Sequence, residues 1–104
     1  MRRMDVFDLL SDAKAHARVD HNDDDAGIAL MLSAAAADVA AAAEYDLPED
    51  ADDLPADLRF AIIDQVALLY DARGGDTDRP VGLSLAASRI VARYRGVRMC
   101  PANP

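Results

Sequence analysis

In 104 positions the chain has one cysteine, one lysine, no tryptophan and only five other aromatic residues, and each scarcity removes a class of function. A lone cysteine, Cys100, can form neither an internal disulfide framework nor a cysteine-based zinc site. It stands beside Pro101 and reads as incidental, not catalytic. Positive charge is also short, with 11 Lys and Arg against 19 Asp and Glu for a formal charge of -8. Wrapping nucleic acid requires clustered positive charge, so that role is excluded. No stretch reaches the ~18 uninterrupted apolar residues of a membrane span, and Met1-Arg2-Arg3-Met4-Asp5 has no apolar run behind its arginines to make a signal peptide. The expectation is a protein with no membrane partner, kept in the bacterial cytoplasm or packed into a particle assembled there.

What remains is alanine, acid and helix. The length suits one domain, since domains commonly hold about 100–150 residues. Hydrophobic residues make up 52% but aromatics only 5%, so the core must gain area through close approach of thin helices. Alanine favours helices and β-branched residues are few, which predicts an all-α fold. The acids are not spread evenly. Asp78 is the last of them, and Arg79, Arg89, Arg93, Arg95 and Arg98 follow. An acidic body with a basic C-terminal end suits head-to-tail association, or docking on an acidic partner.

Periodicity predicts four helices. The first covers 6–18, with Val6, Leu9, Leu10, Ala13 and Ala17 at helical spacing. The acidic run from Asp20 to Asp25 can cap a long second helix over 24–45, whose stripe is Ile28, Met31, Leu32, Ala35, Val39 and Ala42. An acidic loop from Asp46 to Asp53 follows. Asp53-Leu54-Pro55 then opens a third helix carrying Leu58, Ala61, Ile62, Val66, Leu69 and Tyr70, and Gly74-Gly75 stops it. A fourth covers 83–94, capped near Ser84, with Leu85, Ala86, Ile90, Val91 and Tyr94 apolar. The prediction is a small bundle of about four helices with a long Ala-rich central helix and an extended basic C-terminal tail. Residues 1–95 form the domain, and 96–104 order only on meeting a partner.

Catalytic and metal chemistry find no constellation. His16 and His21 lie five apart across a helix end, so they do not share a helix face. Asp20, Asn22 and Asp24 imitate a calcium loop, but its sixth and twelfth places need glycine and glutamate and hold Asp25 and Met31. The acids cluster in wet loops, not in a cleft that would shift their pKa. Gly74-Gly75 leads to Asp76, not to the Lys-Ser or Lys-Thr of a phosphate loop. No enzyme, metal or cofactor is expected. Tyr45, Tyr70 and Tyr94 each end a predicted helix; the first two are expected to pack a ring and leave the hydroxyl wet, and Tyr94 stays open.

Three segments together resemble the head–tail connector (adaptor) family of long-tailed phages and phage-derived particles. The first runs from Leu10-Ser11-Asp12-Ala13-Lys14 through Arg18-Val19-Asp20 to Asn22-Asp23-Asp24-Asp25-Ala26-Gly27-Ile28. It is similar to the family's short lysine-bearing helix, Arg-Val-Asp-like turn and acidic entry to a long helix. The second runs from Leu54-Pro55 through Ala61-Ile62 to Leu69-Tyr70-Asp71-Ala72-Arg73, similar to the third helix and its Tyr-x-x-Arg ending. The third, Ile90-Val91-Ala92-Arg93-Tyr94-Arg95, resembles the closing Tyr-Arg. Two positions depart: Ala17 stands where a larger apolar residue is common, and Arg93 replaces a usual proline, which suggests a longer last helix.

The resemblance implies a structural part. It implies a homo-oligomeric ring, usually dodecameric, beneath the portal protein, extending the DNA channel and offering a platform to a tail-side stopper or terminator protein. DNA would pass without sequence-specific binding. The expected portal-facing residues are Arg93, Tyr94, Arg95, Val97, Arg98 and Met99, because arginine and an aromatic anchor often carry interfaces. Side-to-side contacts are expected from the second and third helices, at Ala35, Val39, Ala42, Arg59 and Arg73. Sparse lysine with abundant Ala, Asp and Arg looks like GC-rich bacterial coding, so a phage, a prophage remnant or a gene transfer agent would fit equally. The competing class is a free cytosolic helical interaction module, which explains the charge and the bundle but not the three ordered segments. A DNA-mimicking inhibitor would need acids spaced along one surface, and these gather in two loops.

Overall fold

The computed structural model describes residues 4–73 and 82–99, apart from the side chains of Arg73 and residues 96–99. Met4 is buried and its N–H donates to the Pro48 carbonyl at 2.9 Å, tying the start of the chain to the acidic loop. A 3-10 turn, Val6–Leu9, is capped by the Asp5 carboxylate, which accepts from the Phe7 N–H at 2.9 Å. Helix α1 (Leu10–Ala17) continues from it. The predicted first helix is therefore two pieces, because the Asp5 cap closes a tight turn before the α-helical pitch begins.

Helix α2 (Asp25–Ala43) and helix α3 (Ala56–Arg73) form the central pair, and helix α4 (Leu85–Met99) closes the bundle. Among the described residues no strand occurs. Helices α1 and α2 end alike. Arg18 and Glu44 take left-handed backbones at φ 64° and 56°, and the next residues, Val19 and Tyr45, bond back five positions to the Lys14 and Ala40 carbonyls at 2.8 and 3.0 Å. The Arg18 and Glu44 N–H groups donate to the Ala15 and Ala41 carbonyls, both at 3.2 Å. This pair of hydrogen bonds closes each helix end, usually with glycine at the left-handed place. Neither place has glycine, so each helix stops at or just before the left-handed residue where periodicity alone carries it through.

Beyond α2 a second 3-10 turn, Ala51–Asp53, leads through Leu54 and Pro55 into α3. Helix α3 is the hub, packing on α1, α2 and α4, while α2 also packs on α1 and α4. Leu58, Ala61, Ile62 and Val66 are buried as the stripe predicts, and Leu69 and Tyr70 lie partly buried at its end. In α2, Ile28, Leu32, Ala35 and Val39 are buried, but Ala29, Ala36 and Ala43 join them, and Met31 and Ala42 are only half-buried. An alanine-rich helix can turn by a fraction of a turn at little cost, since its faces differ so little.

By length and composition α2 would pass for a membrane-crossing helix, which its uninterrupted run length does not suggest because Asp38 breaks it. Its buried residues instead make the middle of this bundle, and Asp38 is exposed. Ser84 caps α4 as predicted: its hydroxyl accepts the Ala87 N–H at 3.1 Å. The helix then runs past Tyr94 to Met99, consistent with arginine at 93 in place of proline. Residues 96–99 of the expected tail thus continue the helix, and 100–104 lie outside the described residues.

Candidate functional site

The C-terminal half of α4 does not hang free; it is latched to the first turn of α3. Asp57, placed there by the Leu54-Pro55 entry, receives three donors. Its Oδ1 accepts the Leu58 N–H at 2.8 Å and the Tyr94 hydroxyl at 2.8 Å, and its Oδ2 faces Arg93 at 3.3 Å. The Tyr94 ring also meets Tyr45 edge to face, with centroids 5.9 Å apart. Partial burial first, and then the bond to the Asp57 carboxylate, push the Tyr94 phenol up to about 12.

The phenol therefore titrates later in the folded chain than in the unfolded one, whose ordinary value is 10.0. Stability from this latch is complete below pH 10.0 and drains away as pH rises toward about 12. Absorbance titration of the tyrosinates should show a late-ionising step, and Tyr94→Phe should reduce its amplitude by one residue. If all three tyrosines ionise together before unfolding begins, the latch is absent in solution.

The other expected portal-facing residues fall as follows. The Arg93 side chain is 62% exposed despite its contact with Asp57. Arg95 is exposed and lines a groove with Asp38, Ala42 and Leu83. Val97, Arg98 and Met99 belong to the last turn of α4, and their side chains lie outside the described residues. Tyr94 is turned into the bundle, so its ring serves the fold.

The expected subunit contacts divide in the same way. Ala35 and Val39 are 0% and 1% exposed, enclosed by their own chain, so a neighbouring copy cannot reach them while the bundle is folded. The outer face of α2 belongs to other residues: Leu30, 74% exposed, with Ala34, Ala37 and Ala41. Ala42 is half-buried at the groove beside Arg95. Arg59 holds the Ala51 carbonyl at 2.8 Å and Asp12 at 3.6 Å, so it braces the 3-10 turn and α1. Arg73 ends α3, with its side chain outside the described residues.

The remaining polar side chains knit the bundle. Lys14 reaches the buried Asp25 Oδ1 at 2.8 Å and Asn22 at 2.7 Å, joining α1 to the head of α2. Asp24 offers no side-chain cap to α2 and instead accepts the Tyr70 hydroxyl at 2.9 Å. The Tyr70 hydroxyl is therefore bonded to protein, which corrects the expectation of a wet one. His16 faces Asp64 at 2.9 Å and meets Phe60 edge to face at 5.5 Å. Burial would push the Asp64 carboxyl up, but bonds from His16 and Ser84 and the His16 charge outweigh it and hold it below its usual value. Among the described residues no group of three or more His, Cys, Asp or Glu could hold a metal.

What this arrangement offers is a surface with three exposed arginines on α4: Arg93 on its flank toward Asp57 of α3, Arg95 on its flank toward α2, and Arg89 on the outer side. Residues 7–95 match the family model described as phage gp6-like head-tail connector protein, a span that takes in all but the last turn of the bundle just described. The chain belongs to that family. Comparison with curated proteins and with solved structures gave no match. Membership makes this connector a structural part of the head–tail junction of a phage particle, a place that implies contact with portal and tail proteins and assembly in several copies.

Two polar residues of this connector have a role with no signal in its periodicity. Asp57 reads as an ordinary first-turn acid, and only contact with a residue 37 positions away reveals its work. Gln65, 1% exposed, stands on the apolar side of α3, where a stripe reading passes over it.

Proposed function

We propose that this connector forms a ring, dodecameric as in the family it resembles, beneath the portal at one capsid vertex. The ring extends the DNA channel and passes the junction on to a tail-side stopper or terminator protein. The observation that carries this reading is the family match over residues 7–95, which takes in the exposed arginines of α4. Arg93, Arg95 and the segment through Val97, Arg98 and Met99 face the portal, with Tyr94 holding the helix that presents them. Beyond the end of α4 at Met99, residues 100–104 take their order on docking, where contacts offset the entropy of fixing them. The acidic body suits a channel wall, because like charge keeps DNA phosphates from sticking as they slide. Assembly takes place in the bacterial cytoplasm, for a phage, a prophage remnant or a gene transfer agent.

Electron microscopy of the purified protein mixed with the portal protein encoded beside it tests this, with each component alone as control. The expected result is a ring stacked on one end of the portal, lost when the chain is truncated before Arg93. Assembly only in the presence of the portal would support the same reading. A monomer that ignores the portal would sink it and favour a free helical interaction module.

A further inference from the structure

We propose that a second copy of this chain seats the outer ridge of its α4 in the groove on the outer face of α1, joining copies head to tail through two unlike faces. The proposal rests on the connector reading for its expectation of several copies, and on this chain's own surfaces for the contact.

Helices α1 and α4 both lie along the α2–α3 pair with little direct contact between them. They come near each other at Asp64, which bonds His16 of α1 and Ser84 at the head of α4. Each helix packs on the central pair and leaves an outer face of its own uncovered. With Ala13 buried, α1 points Ser11 and Ala15 outward. With Ala87, Ile90 and Val91 buried, α4 points Leu85, Arg89 and Ala92 outward.

The two faces are chemically complementary. On the α1 side an open groove runs between Phe7, 57% exposed, and Asp20, floored by Leu10, Ala15 and Val19. Lys14 borders it, but its ammonium is held by Asp25 and Asn22, so Asp20 sets the sign of the rim. Opposite stands Leu85, 69% exposed, with Arg89 one turn further along α4. Among the described residues no acid pairs with Arg89. A knob of Leu85 beside a cation thus matches a groove lined by Phe7, Leu10 and Val19 beside an acid, and the small Ser11 and Ala15 let a helix approach closely.

Self-pairing of either face would set acid on acid or arginine on arginine, which costs several-fold in affinity at least. Two unlike faces give a heterologous contact, which closes into a ring when the rotation between copies allows.

Thiol cross-linking reads this directly. In a Cys100→Ser background, Ala15→Cys and Ala92→Cys place thiols on the two faces and leave Phe7, Leu85 and Arg89 intact. A short bismaleimide is expected to join the two variants only when they are mixed, and to turn the chain carrying both substitutions into a ladder of oligomers. Arg89→Glu should cut that yield by about tenfold, and Asp20→Arg on the other copy should restore it. Dimers from either single variant alone, as abundant as from the mixture, would overturn the proposal in favour of like-face pairing. Absence of any ladder, with or without the portal protein and up to the solubility limit, would overturn it outright. Co-sedimentation with the portal in the same samples separates the two ideas. Portal binding without a ladder removes this contact and spares the connector reading; a ladder without portal binding keeps the contact and removes that reading.

Discussion

Ile62→Ala is expected to lower the free energy of unfolding by about 2–5 kcal/mol, toward the upper end of that range. Ile62 is 0% exposed in α3, the helix that touches all three others. Truncation costs the transfer energy of the lost carbons plus a term for the space they leave, and the second term depends on whether neighbours can fill it. Here the small members of the core, Ala13, Ala35, Ala36, Ala61 and Ala87, have no rotamers with which to move in. A domain of this kind holds about 5–15 kcal/mol in all, so the change removes a large part of it. Urea denaturation should show a lower midpoint with an unchanged slope. A loss below about 1 kcal/mol would mean that the helices slide together to close the gap, against the close-packed core described above.

How far such a core can be read from sequence depends on contrast between helix faces. Helix α3 sets Asp57, Arg59, Asp64 and Asp71 against its apolar residues, so the buried set of Leu58, Ala61, Ile62 and Val66 stands out. Helix α2 has alanine on every side. The pattern found Ile28, Leu32, Ala35 and Val39 but could not tell Ala42 from Ala43, nor that Ala29 and Ala36 face inward. The same ambiguity places Ala35 and Val39 among the expected surface contacts although both are buried, while the exposed large apolar residue of that helix is Leu30.

Helix ends were legible where chemistry marks them. Ser84 caps α4 and Pro55 precedes α3, whereas Arg18 and Glu44 hold left-handed places with side chains that do not announce them. The candidate surface was half legible, for a related reason. Exposed arginines of α4 could be named from charge order along the chain. The Asp57 latch and the turn of Tyr94 inward are tertiary facts, set by residues tens of positions apart.

Gln65 is the sharper case, because one buried amide fixes where α4 begins. Gln65 Nε2 donates to the Gly82 carbonyl at 2.9 Å, and its Oε1 accepts the Ser84 N–H at 2.7 Å. Ser84 then caps α4 through Ala87 and bonds Asp64, so the first turn of α4 is registered on α3 by polar contacts in sequence. Gln65→Leu keeps most of the volume but leaves the buried Ser84 N–H unpaired and gives the Gly82 carbonyl, on an exposed residue, back to solvent. One buried unpaired group costs about 1–3 kcal/mol, and that is the expected loss. Hydrogen exchange distinguishes this from a general loosening. The Ser84 amide should lose protection first and Ala87 next, while amides in the middle of α2 should change only as global stability falls. Because Leu85 and Arg89 sit within the next two turns, cross-linking between the α1 and α4 faces should weaken as well. A Gln65→Leu protein as stable as the parent would mean that Ala87, Ile90 and Val91 alone seat the helix, and that the amide pair only fills space.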